Sequence, residues 1–308
     1  MRLLLFLLSL LCVQLPSAGP ALAAPADETV LFRKDSLYQH IVVLENTRKR
    51  ERYIHNVKRD YMQGGIAVDR PEELLFEYTR TSFVSLAFLE REPQDILFIG
   101  LGAGAMPRYL QRYYPEASID VVELDPDMLA VAKEYFHFRE SGGMKAHVQD
   151  GRIFVKRTAK QYDMIFLDAY KNDSIPFHLT TVEFLGEVKK KLRKGGVVVS
   201  NITASFRNKF FDAMLRTYQE AFPHLYLFRD TKAIGFSTYY IFIAQEGGAR
   251  RQRDEVVRRA RELRQAKDFD IDLPMLAMSY EYPDDGAAAE VLTDDFAPVN
   301  IYMHTESR

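Results

Sequence analysis

The sequence predicts an α/β protein with a mostly parallel, seven-stranded sheet covered by helices, preceded by a small β-rich unit. Two observations carry this. From Gln94 onward, short and wholly apolar runs alternate with helix-periodic segments, the pattern of parallel strands buried on both faces. Before Gln94, alternating and aromatic segments punctuated by glycine read as antiparallel strands.

The elements follow in order. Leu3 to Leu15, behind the single charge of Arg2, is apolar but too short to span a bilayer comfortably, and small residues follow it at Ala21 and Ala23. Residues 1–24 therefore read as a secretory signal peptide, with a periplasmic or secreted mature chain; an uncleaved membrane anchor is the alternative. Residues 25–90 hold the β-rich unit: Leu37 to Leu44, Arg52 to Val57 and Gly64 to Val68 are strand-like, and a helical stretch runs from Pro71 through Leu74, Tyr78, Phe83 and Leu86.

Residues 91–247 form the large unit. Its predicted strands are Ile96–Ile99, Ile119–Leu124, Ala146–Val148, Met164–Leu167 and Val197–Val199, closed by Leu225–Phe228 and Tyr239–Ala244. Two closing strands after the fifth are what a methyltransferase-type, Rossmann-like sheet would show. The predicted helices start near Met106 and cover Asp127–Phe136, Arg152–Lys160, Val182–Arg193 and Arg207–Ala221. The helix at Val182 carries a Thr180-x-x-Glu183 capping box and Gly195-Gly196 as its stop. Residues 248–308 read as a helical extension, with Val256, Val257, Ala260 and Leu263 on one stripe of a charge-dense helix.

Composition narrows the function. The chain of 308 residues is 47% apolar and 27% charged, proportions of a folded globular protein. Its net charge of −2 offers no attraction to a long polyanion, which disfavours nucleic acid. Cys12 is the only cysteine, so disulfides within the chain and cysteine metal clusters are excluded. The seven histidines show no paired ligand spacing, and no metal is expected.

The chemistry concentrates at predicted strand ends. Ile96–Ile99 runs into Gly100-Leu101-Gly102-Ala103-Gly104-Ala105 and then a helix, placing small residues where backbone passes close to a ligand. The next strand ends in Glu123-Leu124-Asp125, where an acid can accept both hydroxyls of a ribose. The third ends in Asp150-Gly151 and the fourth in Asp168-Ala169-Tyr170, at the sheet edge where open α/β folds bind ligands. Asp127 or Asp150 taken singly could be a helix cap, but four successive strand ends point to a site. The glycine spacing alone leaves a nicotinamide enzyme open. The motif is not G-x-G-x-x-G, however, and acids at Asp150 and Asp168 suit a nucleoside thioether or sulfonium better.

From about Ser36 to Ala244 the chain resembles the spermidine synthase (polyamine aminopropyltransferase) family. Ser36-x-Tyr38-Gln39-x-Ile41-x-Val43 is similar to its N-terminal strand signature, and Gly100 to Ala105 to its glycine loop. Glu123 with Asp125, Asp150 with Gly151, and Asp168 fall at its ribose, adenine and catalytic positions. The resemblance implies a methyltransferase-like Rossmann domain behind a small β-stranded domain, decarboxylated S-adenosylmethionine as co-substrate, a small-molecule amine as acceptor, and a homodimer. It places Gln39, Gly100, Gly102 and Gly104 with the co-substrate.

Departures from the family pattern bear on the substrate. The family loop carries an acid for the aminopropyl ammonium where this chain has Ala103, and Phe76 replaces an acceptor-facing tyrosine. Asp168 to Pro176 replaces a compact D-S-S-D-P segment, and the stretch to Thr180, with Leu292 to Pro298, resembles a divergent spermidine synthase-like branch whose members are often attached to membrane segments. In the resulting reading Asp168 takes the proton of the attacking amine. Asp173 is a second amine anchor or a turn former, Tyr78 or Tyr170 orients the acceptor, and His178 lines the acceptor pocket or packs at a helix entry. Asp294 and Asp295 close over the pocket or are solvated. Aminopropyl transfer to an acceptor such as putrescine leads. Methyl transfer from S-adenosylmethionine, favoured by Ala103, and a silent nucleoside- or polyamine-binding protein are the alternatives.

Overall fold

The computed structural model describes residues 27–55, 62–170, 174–205, 208–230, 237–283 and 289–305. The leader and Asp173 lie outside the described residues.

Four strands, β1 (Glu28–Asp35), β2 (His40–Asn46), β3 (Glu51–His55) and β4 (Met62–Ala67), pair antiparallel in sequence order. β1 was not foreseen: its pattern is half-exposed along most of its length, so it lacks a clean apolar face, and pairing with β2 recruits it to the sheet edge. The chain then forms α1 (Glu77–Ser82) and a 3₁₀ turn at Phe83–Phe88. The sequence predicts helix from Pro71 onward, but residues before Glu77 make turns, one closed by Glu73 N–H to the Arg70 carbonyl.

The large sheet contains β5 (Asp95–Ile99), β6 (Ser118–Glu123), β7 (Met144–Val148), β8 (Tyr162–Leu167), β9 (Leu192–Ser205), β10 (His224–Arg229), β11 (Ser237–Gln245) and β12 (Tyr280–Glu281). Its order is β12-β10-β11-β9-β8-β5-β6-β7, with β5 to β9 parallel and the rest joined antiparallel. All seven predicted strands are present. The eighth, β12, is a two-residue edge strand against Leu227 and Phe228, too short to leave a periodic signal.

Helices α2 (Ala105–Tyr113), α3 (Pro126–Tyr135), α4 (Gly151–Arg157), α5 (Val182–Lys189) and α6 (Lys209–Ala221) cover the sheet, followed by α7 (Arg253–Lys267), α8 (Leu273–Ala277) and α9 (Val299–Met303). Side chains cap several starts: Asp125 accepts from Asp127 N–H, Asp150 from Ile153 N–H and Asn208 from Phe211 N–H. The cap of α5 is Thr181, which accepts from Phe184 N–H, one residue beyond the expected Thr180. The helix also ends at Lys189, short of Gly195-Gly196. That pair lies inside β9 at a register shift against β8, where Gly195 takes φ +79°.

On the two faces of the large sheet sit two apolar clusters, one around Phe98, Phe166 and Tyr226, the other around Val198, Phe210 and Phe242. Val256 and Ala260 of α7 join the first, with Val257 and Leu263 packed against it. A third cluster fixes the site's geometry: Ile41, Val43, Ile54 and Ile66 of the small sheet pack on Ala103, Met128, Val131 and Phe136. It docks the small sheet over the glycine loop and α3, so the carboxyl edge of the large sheet gains a roof. Among the described residues no helix is long and apolar enough to cross a membrane.

Candidate active site

At the carboxyl ends of β5, β6 and β8, beneath that roof, lies a cleft of about 1210 Å³, part of it open to solvent. Gln39, Gly100, Gly102, Glu123, Asp125, Asp150, Gly151, Asp168, Tyr78, Tyr170 and His178 all line it. Gly104 does not. It starts α2 at φ +68°, with Phe138 against it, so its role is to turn the chain into the helix.

Each side chain is held by a local reason. Gly100 has φ +100°, and a Cβ there would stand 2.3 Å from the Asp168 carbonyl oxygen, so only glycine lets the two strand ends approach. Glu123 is 9% exposed, and its two carboxylate oxygens accept from Leu101 N–H at 3.1 Å and Asp125 N–H at 2.9 Å. Burial pushes its pKa up to about 6, against the pull of those backbone donors. Asp125 caps α3 and accepts from Ser36 Oγ at 2.5 Å, so both its oxygens are engaged and the Ser36 to Gln39 turn is tied over the cleft. Asp150 caps α4 and pairs with His178 Nε2 at 2.8 Å.

The other end of the cleft is aromatic. Tyr78 stacks on Tyr239 at 5.5 Å between centroids and on Phe76 at 6.0 Å. Tyr170 donates to the Asn201 carbonyl and accepts from Thr203 N–H and Oγ1. Asp168 stands where the two ends meet. Its N–H donates to the Ile99 carbonyl and its Oδ1 accepts from Asn201 Nδ2 at 3.0 Å. Burial pushes its pKa up to about 7, despite the Asn201 hydrogen bond. A carboxylate poised there can take a proton near neutral pH.

The sequence pointed to most of the polar groups of this cleft but missed several contributors, among them Asn201, Gln63 and Tyr239. Asn201 lies within β9, beyond the Val197–Val199 run, and reaches the cleft because the parallel register sets Ser200 beside Leu167. Gln63, which donates from Nε2 to Gln39 Oε1 at 3.2 Å, and Tyr239, paired across from Thr203, arrive on antiparallel strands, to which the rule of ligands at parallel strand ends does not apply. Asp294 does not face the cleft: it accepts from Arg152 and Thr181 Oγ1, joining the C-terminal segment to α4 and α5. Among the described residues no cluster of three or more His, Cys, Asp or Glu side chains could hold a metal ion.

The pattern of the spermine/spermidine synthase domain matches residues 75–246. The polyamine aminopropyltransferase of Vibrio vulnificus is 33% identical over 282 residues, covering 89% of this chain and 91% of that protein. This chain belongs to the spermine/spermidine synthase family. Named relatives in the family are transferases. A probable spermidine synthase from Corynebacterium glutamicum shares the fold, with TM-score 0.69 and 21% identity over 87% of this chain and 98% of that one. Human methyltransferase-like protein 13 in complex with SAH aligns with TM-score 0.55 and 25% identity over 68% of this chain and 96% of that one.

Ala103 stands where the resemblance set out above puts the family's loop acid. It is 3% exposed, sits in the apolar cluster beneath the small sheet, and borders a side arm of the cleft rather than the cleft itself.

Proposed function

We propose that this protein transfers an aminopropyl group from decarboxylated S-adenosylmethionine to a small-molecule amine. The carrying observation is Asp168: a carboxylate whose pKa burial raises to about 7, between a half lined by the acids Glu123 and Asp150 and an aromatic half holding Tyr78, Tyr170 and Tyr239. The acid-lined half suits the co-substrate, because Glu123 offers a buried carboxylate for ribose hydroxyls and the glycine loop admits a close-lying ligand. When bound, the co-substrate supplies a carbon activated by the adjoining sulfonium.

Asp168 and Asn201 hold the acceptor nitrogen with its lone pair toward that carbon. A new C–N bond forms as the C–S bond breaks, its electron pair staying on sulfur in the departing methylthioadenosine. Asp168 takes the proton that the alkylated nitrogen sheds. The family points to putrescine as first acceptor to assay.

Methyl transfer from intact S-adenosylmethionine is the second reading, supported by Ala103, which leaves no loop acid to repel a carboxylate on the donor. Calorimetric titration of residues 25–308 with decarboxylated S-adenosylmethionine, S-adenosylmethionine and methylthioadenosine separates the readings. Preference for the decarboxylated form, with turnover of an amine, is expected. Preference for the intact form would replace it with methyl transfer, and binding without any turnover with a silent binding protein.

We also propose that residues 1–24 direct export. Intact mass of the exported chain should place its start near Ala24 or Pro25; a full-length cytoplasmic chain would remove this reading.

A further inference from the structure

Across the large sheet the residues that close neighbouring strands run Asp168 after β8, Gly100 after β5, Glu123 on β6 and Asp150 after β7. With the ribose at Glu123 and the reacting group toward Asp168, the base of a bound nucleoside falls on the other side of Glu123, at Asp150. Leu124 beside Glu123, and Pro176 and Leu179 on either side of His178, line the cleft with apolar surface for a flat ring.

Asp150 is pinned from two directions. Its Oδ1 accepts from Ile153 N–H at 2.9 Å as the cap of α4, and its Oδ2 lies 2.8 Å from His178 Nε2. Against a carboxylate that nitrogen must carry the proton, so the imidazole donates. The carboxylate keeps further lone pairs, which can accept from an N–H of a ligand and can donate nothing. His178 is itself fixed, in a turn closed by Leu179 N–H to the Pro176 carbonyl and Thr180 N–H to the Phe177 carbonyl. Its own carbonyl accepts from Arg152 Nη1 at 3.2 Å, and buried Arg152 is paired with Glu187 and Asp294. α4 therefore holds both partners, Asp150 through its cap and His178 through Arg152. The Asp150 and His178 side chains are 28% and 32% exposed, so a base laid over them strips water from the carboxylate while the His178 hydrogen bond remains.

We infer that His178 is a positioning residue for base recognition: it holds Asp150 as an acceptor for the exocyclic amino group of a 6-aminopurine, and so sets the preference of the site for that base. This rests on the nucleoside reading of the cleft and not on which group is transferred.

The test is calorimetric titration of methylthioadenosine, and of its counterpart lacking the 6-amino group, into the parent protein, His178→Ala and His178→Gln. The parent is expected to bind the amino form at least about 10-fold more tightly, because the analogue leaves Asp150 unpaired beneath it. His178→Ala should narrow that ratio at least about fivefold, since ordering the freed carboxylate then falls to the ligand. His178→Gln, whose amide N–H donates as the imidazole does, should restore most of it. Each ratio is read within one folded variant, so a general loss of stability cancels.

A histidine that only packs the turn would weaken both nucleosides alike; an unchanged ratio in His178→Ala therefore sinks the positioning role, as does tighter binding of methylthioadenosine by that variant. Equal binding of the two nucleosides by the parent overturns the base assignment of Asp150 and leaves the nucleoside reading standing. Binding of neither by the parent removes that reading and the role of His178 with it.

Discussion

Asn201 Nδ2 and Asp168 Oδ1 stand 3.0 Å apart because β8 and β9 run parallel in a register that pairs Leu167 with Ser200. The next residue of each strand therefore reaches the cleft beside the other. The contact orients the Asp168 carboxylate without neutralising it, and leaves Asn201 Oδ1 for a ligand.

Replacing Asp168 by Asn should lower turnover about 100-fold or more, with nucleoside affinity changed by no more than about 3-fold, because the amide accepts no proton. In the parent protein kcat/KM should rise with pH and level off above about pH 7, as Asp168 ionises. Steady-state assays with parallel calorimetry check both. Unchanged turnover in the variant would remove Asp168 from the mechanism.

The same residue links stability to pH. Its folded pKa, about 7, lies above the unfolded carboxylate value of about 4, so the folded state binds the proton more tightly. That contribution is complete below pH 4 and is lost as pH rises through 7. Asp168→Asn should therefore melt about 2–4 °C above the parent at pH 8, with the difference closing toward pH 4. Thermal scans across that range test it, and a variant less stable at pH 8 contradicts it.

Glu123→Gln keeps the shape but offers one acceptor where two backbone donors, Leu101 N–H and Asp125 N–H, now point at a carboxylate. Nucleoside binding should weaken by about 1–3 kcal/mol and the melting temperature should fall as well. Unaltered affinity would withdraw the ribose assignment.

Tyr170→Phe deletes the hydroxyl that bridges the Asn201 carbonyl and Thr203 N–H. Leaving these groups unpaired should cost about 1–3 kcal/mol in chemical denaturation, with nucleoside binding retained. A loss below about 0.5 kcal/mol would show that water replaces the hydroxyl there.

Several site residues were legible because a parallel strand announces its own end. An apolar run stops, a glycine or acid follows and a helix begins, as at Gly100, Glu123, Asp150 and Asp168. Asn201 does not fit that pattern: it is neither glycine nor acid, and β9 continues past it to Ser205, so no local signal marks it. The cap of α5 slipped by one residue since Thr180 and Thr181 are both buried and equally able to cap by type. β1 and β12 carried no periodicity, one half-exposed and the other two residues long.

The sequence by itself determined the alternation of strands and helices, the parallel core and the line of polar groups along its edge. These are encoded locally, in apolar period and turn residues. Tertiary structure alone decided which of those groups share one cleft. It seated Ala103 under the small sheet, brought Gln63 and Tyr239 in on antiparallel strands, and lifted the pKa of Asp168 by burial. Proximity across strands and loss of solvent depend on how distant segments pack, and no local window of residues contains that packing.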